Sequence, residues 1–190
     1  MRSIALAILV LVGGSDLGLA QDDPLLTEAE ASREVRVIRR LGPDARARIE
    51  ALLQHARAAG LPTQPIVERI EAGQSRRTPA SQLVATAEAT VARLESASRE
   101  FRDAGRLADQ REIVLAALVL ERGGSLDQLA YLLRSVSPAR SLLVPLDVMA
   151  RLAAQGTEPG RAVEQVGRQL ATGADDQAIA MLLTSNISRH

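Results

Sequence analysis

The chain has 190 residues with no cysteine, no tryptophan, one phenylalanine and one tyrosine, and its 23 basic residues, all arginine, balance 23 acidic ones to a net charge of zero. Without excess positive charge or stacking aromatics it lacks the electrostatic footprint and the base platforms of a nucleic-acid binder. Without cysteine it has no disulfide frame, no lipid-attachment thiol and no thiolate chemistry.

Residues 1–20 read as an export signal: Arg2 supplies the positive start, residues 4–12 are an unbroken apolar run, and Gly18 and Ala20 are the small residues of a cleavage site. Nine helical residues reach about 14 Å, under half of a roughly 30 Å hydrocarbon core, so the segment is too short to anchor. The expected organisation is a signal peptide over 1–20 cleaved after Ala20, a flexible leader over 21–27, and one helical domain over 28–190.

From there apolar residues recur at helical spacing. Helices are expected over 28–41, stopped by Gly42 and Pro43, and over 44–59, with Ala45, Ile49, Leu52, Leu53 and Ala56 on one stripe and Gly60 as the stop. A short helix from Thr63 ends at Gly73. Thr78 as N-cap and Pro79 at the first helical position open a long helix that ends at Gly105. The helix over 109–122 contains eight consecutive apolar residues, 113–120, which predicts burial on all sides and the centre of the core. Ser125 with Gln128 forms a capping box for a helix through 134. Ser137 and Pro138 start a further segment that Pro145 breaks or restarts, and helices over 158–171 and 175–186 follow. The fold class is therefore all-α, a single domain of about seven to nine helices packed as helical hairpins. A solenoid and an irregular bundle both remain open.

One regularity bears on that choice. At six, seven and ten places beyond Gly60, Gly123 and Gly156 stand Ile66, Val67 and Ile70, then Leu129, Ala130 and Leu133, then Ala162, Val163 and Val166. The separations of 63 and 33 residues approach multiples of the 30 to 40 residue period of helical-hairpin solenoids.

The stretch Gly60-Leu61-Pro62 with Pro65-Ile66-Val67, Gly73 and Pro79, together with the run Ala139-Arg140-Ser141-Leu142-Leu143-Val144-Pro145-Leu146, resembles a group of exported helical bacterial proteins with no assigned activity. The resemblance covers about 44–183 and rests on turn and core residues. It implies export and a helical fold and carries over no catalytic residue.

The residues themselves offer little chemistry. His55 has Ala51, Leu52, Ala58 and Ala59 three and four places away, so its own helix supplies no carboxylate to orient it or share a metal. His190 is a chain end. Ser125 and Ser137 read as caps, Gly123-Gly124-Ser125 as a helix-helix turn without a P-loop lysine, and Asp175-Asp176 as a helix start. Glu95 with Arg99, and Glu164 with Arg168, read as surface ion pairs. No cofactor, metal or catalytic residue is assigned, and the reading is non-enzymatic: a protein-interaction or scaffold protein of the cell envelope, periplasmic or secreted. The alternative is a helical carrier of an apolar ligand or lipid.

One charged face has a shape. On a helical wheel of the first helix, Ala31, Val35 and Ile38 form an apolar stripe, while Arg33, Arg36, Arg39 and Arg40 gather opposite it. These four arginines are the candidate face for an anionic partner, either another envelope protein or a membrane surface.

Overall fold

In the computed structural model, which describes residues 24–187, nine helices and no strand are present among the described residues. They are α1 Pro24–Arg39, α2 Pro43–Ala58, α3 Gln64–Ser75, α4 Ala80–Asp103, α5 Gln110–Glu121, α6 Leu126–Arg134, α7 Leu143–Ala154, α8 Pro159–Ala171 and α9 Asp176–Ile187. The expected signal peptide, its cleavage site and His190 lie outside the described residues. Residues 24–27, expected in a leader, instead form the first turn of α1, where a leading proline suits the fixed φ and missing N–H of that position.

Five glycines end helices as the sequence predicts or implies: Gly60, Gly105, Gly123, Gly156 and Gly173 have φ between +67° and +96°. After each, the next N–H returns to the carbonyl five residues back, as in Arg106 to Phe101 at 2.9 Å and Thr157 to Leu152 at 3.0 Å. Gly73 is not such a stop. It lies inside α3, where a Cβ would land on Leu83 Cδ2, so its role is the close approach of α3 to α4. The chain reverses instead at Arg77, two residues past the end of α3, a non-glycine residue at φ +58°, with Thr78 N–H donating to Gly73 O at 2.9 Å.

Three other boundaries depart from the sequence reading. Pro79, not Thr78, is the N-cap of α4. Ser137 opens a turn closed by Arg140 N–H on its carbonyl at 3.0 Å, and no helix starts there. Pro145 sits in the first turn of α7, where no N–H is required, so it breaks nothing.

α5, α7 and α9 begin at residues 110, 143 and 176, and α6 and α8 at 126 and 159, so every interval is 33 residues. The packing follows the period. α5 lies against α7 and α7 against α9, while α4 lies against α6 and α6 against α8; α4 also meets α5, and α8 meets both α7 and α9. This two-layer stack is the solenoid arrangement, with α3 on α4 and α1 on α2 and α3 at its N-terminal end. All nine residues of the three apolar triplets are buried, and buried side chains from Val37 to Ile179 form one contiguous cluster.

Successive repeats are also tied by polar side chains, two of them, Arg106 and Glu112, buried in that core and two, Arg122 and Arg140, nearer the surface. Arg106, 5% exposed, donates through Nη1 to the carbonyls of Val136 (3.2 Å) and Ser137 (2.8 Å) and through Nη2 to that of Arg140. Arg140 Nη2 in turn donates to Ala174 O at 2.5 Å, and Arg122 Nη1 donates to Ala150 O. Glu112, 6% exposed, accepts from Leu142 N–H at 2.6 Å and Asp109 N–H at 3.1 Å. Burial pulls the Arg106 guanidinium below its ordinary pKa, and the Glu112 charge opposes that pull.

Candidate functional site

α5 does not bury its apolar run all round. Ile113, Ala116, Ala117 and Val119 are buried, but Val114, Leu115, Leu118 and Leu120 are only half-buried. The reason is local: α5 has α4 and α7 against it, and the row Val114, Leu115 and Leu118 faces an open space beside α3. That space is a groove of about 520 Å³ with Val114, Leu115, Leu143 and Val144 on its α5–α7 side and Pro62 and Pro65 on its α3 side. A smaller cleft of about 170 Å³ continues it past Val114 and Pro65 to Leu118, where an Arg69–Glu121 ion pair crosses from α3 to α5.

Polar groups stand at the rim. Gln110 lines both the groove and a neighbouring cleft that runs to Ala31 of α1, and Gln64 lines both as well. Glu68 is engaged by Arg33 at 3.3 Å and Gln64 at 3.0 Å, and Asp147 by Arg151 at 2.8 Å. Arg111 is exposed, and its guanidinium has no hydrogen bond or ion pair among the described residues. The groove therefore combines an aliphatic floor with amides and one free cation.

The four arginines expected to share a face do not. Of the expected stripe Ala31, Val35 and Ile38 only Ile38 is buried, beside Val37 on α1 and Leu41 just after it, because α1 docks through its C-terminal end and is rotated by about one residue from the sequence reading. Ala31 and Val35 are consequently exposed. The same rotation turns Arg33 inward, where its Nε and Nη2 donate to Glu71 at 2.8 and 2.6 Å, and those hydrogen bonds raise its pKa above the ordinary value. Arg36, Arg39 and Arg40 remain outward, without a side-chain hydrogen bond or ion pair among the described residues.

His55 acquires a partner that its own helix could not supply. Glu95 of α4 lies 2.6 Å from Nε2, on the open surface between α2 and α4, and does not pair with Arg99. Glu164 and Arg168 likewise form no pair among the described residues. Ser125 caps α6 with the expected box, and Asp175 caps α9 through Ala178 N–H at 2.8 Å. Sequence reading missed the second box, Asp109 with Glu112 on α5, although D-x-x-E ahead of an apolar run signals it. Among the described residues no group of three or more histidines and carboxylates could hold a metal ion. No helix among them is long and apolar enough to cross a membrane.

No family model, curated protein or solved structure matches the chain.

Proposed function

We propose that the chain is a non-enzymatic interaction protein of the cell envelope, whose helical stack holds a polypeptide segment in the groove between α3 and the α5–α7 layer. The observation that carries this reading is the contiguous row Val114, Leu115, Leu143 and Val144, left open beside Pro62 and Pro65. Helical repeats bind partners on the grooves that their stacking creates, and an apolar floor with a few rim donors suits a segment that alternates apolar contacts with backbone hydrogen bonds. Gln64 and Gln110 offer donors and acceptors for that backbone, and the free Arg111 favours a carboxylate beside it. The apolar run at 4–12, with the cleavage-type residues Gly18 and Ala20, supports the envelope assignment.

The apolar floor also suits a hydrocarbon chain with an acidic head, so the carrier reading predicts the same groove with a different occupant. A photo-crosslinker placed at Leu115 and activated in intact cells separates the two. Expected is a polypeptide adduct that is lost with Val144→Glu and absent from a crosslinker at exposed Arg134. A lipid adduct at Leu115 assigns the carrier, and no adduct above the Arg134 control overturns the groove as a site.

A further inference from the structure

α1 carries a second, independent surface. Its outward side presents Arg36, Arg39 and Arg40 around Ala31, Ser32 and Val35, and these six residues alone line a shallow depression there. Val35 is 48% exposed. The remaining charges of this half of the helix are neutralised on the other side: Arg33 on Glu71 and Glu68, and Glu34 on Arg57. Glu28 is the one acid that shares the outward side of the wheel, and it stands eight residues from Arg36, about 12 Å along the axis. A chain of zero net charge thus displays three guanidinium groups without an ion pair among the described residues, all lining one depression.

Arg36 and Arg39 lie in the last turn of α1, where cations complement the helix dipole. That explains a basic residue at this end. It does not require three arginines to stand clear of every acid, nor an aliphatic side chain exposed among them.

We infer that this face of α1 docks the protein on an anionic phospholipid surface. The depression is shallow and open, and it has no aromatic anchor of the kind that concentrates energy in a protein interface. Six residues also fall well short of the 20 to 30 per side of a standard protein interface. What it does offer is planar charge: guanidinium forks match phosphate oxygens, each basic residue adds attraction to anionic lipid independently, and Val35 enters the headgroup layer. The contact is peripheral and stands apart from the α3–α5–α7 groove, so either can fail without the other.

The test is flotation of the purified protein with vesicles of phosphatidylglycerol and phosphatidylcholine, against vesicles of phosphatidylcholine alone. Expected is binding to the anionic vesicles only, weakened by raised salt, and weakened about a hundredfold in the triple variant Arg36→Gln, Arg39→Gln, Arg40→Gln. A control triple, Arg134→Gln, Arg161→Gln, Arg168→Gln, removes the same charge from exposed positions of α6 and α8 and should bind as the parent does. Thermal melting of both triples separates loss of docking from loss of the helix. Equal binding of the parent to neutral vesicles, equal weakening by the control, or no vesicle binding overturns the inference, and binding to an acidic polypeptide without vesicle binding reassigns the face to a protein partner.

Discussion

The two ends of this molecule are held together differently. From α5 onward the chain repeats every 33 residues, and its repeats are joined by buried aliphatic triplets and by guanidinium groups that satisfy backbone carbonyls one repeat ahead. At the N-terminal end, α1 is joined to α2 and α3 by Val37, Ile38 and Leu41 and by ion pairs at the surface, Arg33 with Glu71 and Arg57 with Glu34. Exposed pairs contribute little and are screened by salt, whereas a carbonyl buried without its donor costs about 1–3 kcal/mol. The periodic half is therefore tied across its repeats by buried groups, whereas the outer side of α1 is tied at its surface.

The sharpest way to break this contrast is a charge at the junction of the layers. Ala116 is fully buried on α5, and Ala116→Asp should abolish soluble, cooperatively melting protein, because an unpaired buried carboxylate costs several kcal/mol against a total of about 5–15. Leu118→Asp, on the half-open side of the same helix, should still fold. Equal behaviour of the two in a solubility and melting assay would mean that the groove closes in solution.

Next in size is the Arg106 clamp. Arg106→Met keeps the apolar stem but leaves the carbonyls of Val136, Ser137 and Arg140 without their donor, and should cost about 1–3 kcal/mol in denaturant unfolding. Arg33→Gln, by contrast, should leave the midpoint nearly unchanged. A third change should stabilise: Arg77→Gly relieves a left-handed backbone at φ +58° and should add about 0.5–1 kcal/mol, read as a higher melting temperature.

The smallest effect is a pH dependence. Glu158 accepts from the N–H groups of Gly160 (3.0 Å) and Arg161 (2.8 Å), which hold its carboxyl below the usual range. A depressed folded pKa means stabilisation that is present above the unfolded value near 4.3 and is lost as pH falls through the folded one. Parent and Glu158→Gln should therefore differ in stability at neutral pH and converge as the medium is acidified below pH 4. A constant difference across that range would assign the cap to shape rather than charge.

The legible parts of the sequence were those whose signals are local. Glycine stops, the Ser125–Gln128 box and the apolar triplets are signals within one turn or one helix, and Gly123 to Leu133 lay where they placed it. What sequence could not show were relations across helices. The rotation of α1 depends on which neighbours receive Val37, and it moved Arg33 out of the candidate face and Val35 into it. Gly73 looked like a stop because glycine has two uses, and only the position of Leu83 distinguishes close approach from chain reversal. Glu95 left its expected partner on α4 for His55 on α2, and the apolar run of α5 read as wholly buried because hydrophobicity alone cannot distinguish a core from a groove.

The clamp that reaches one repeat ahead also sets a rule for changes in chain length. Arg106 takes carbonyls at 136, 137 and 140, beyond the end of α6, and Arg140 takes that of Ala174, beyond the end of α8. Excising residues 110–142 would bring α7 in behind Asp109 with the 33-residue spacing of the helices kept, and Arg106 would face the turn after α8 in place of the turn after α6. Excising a few residues more or fewer would leave the guanidinium facing the wrong peptide planes. Lineages of such a chain should accordingly gain and lose length in whole multiples of its period within this half.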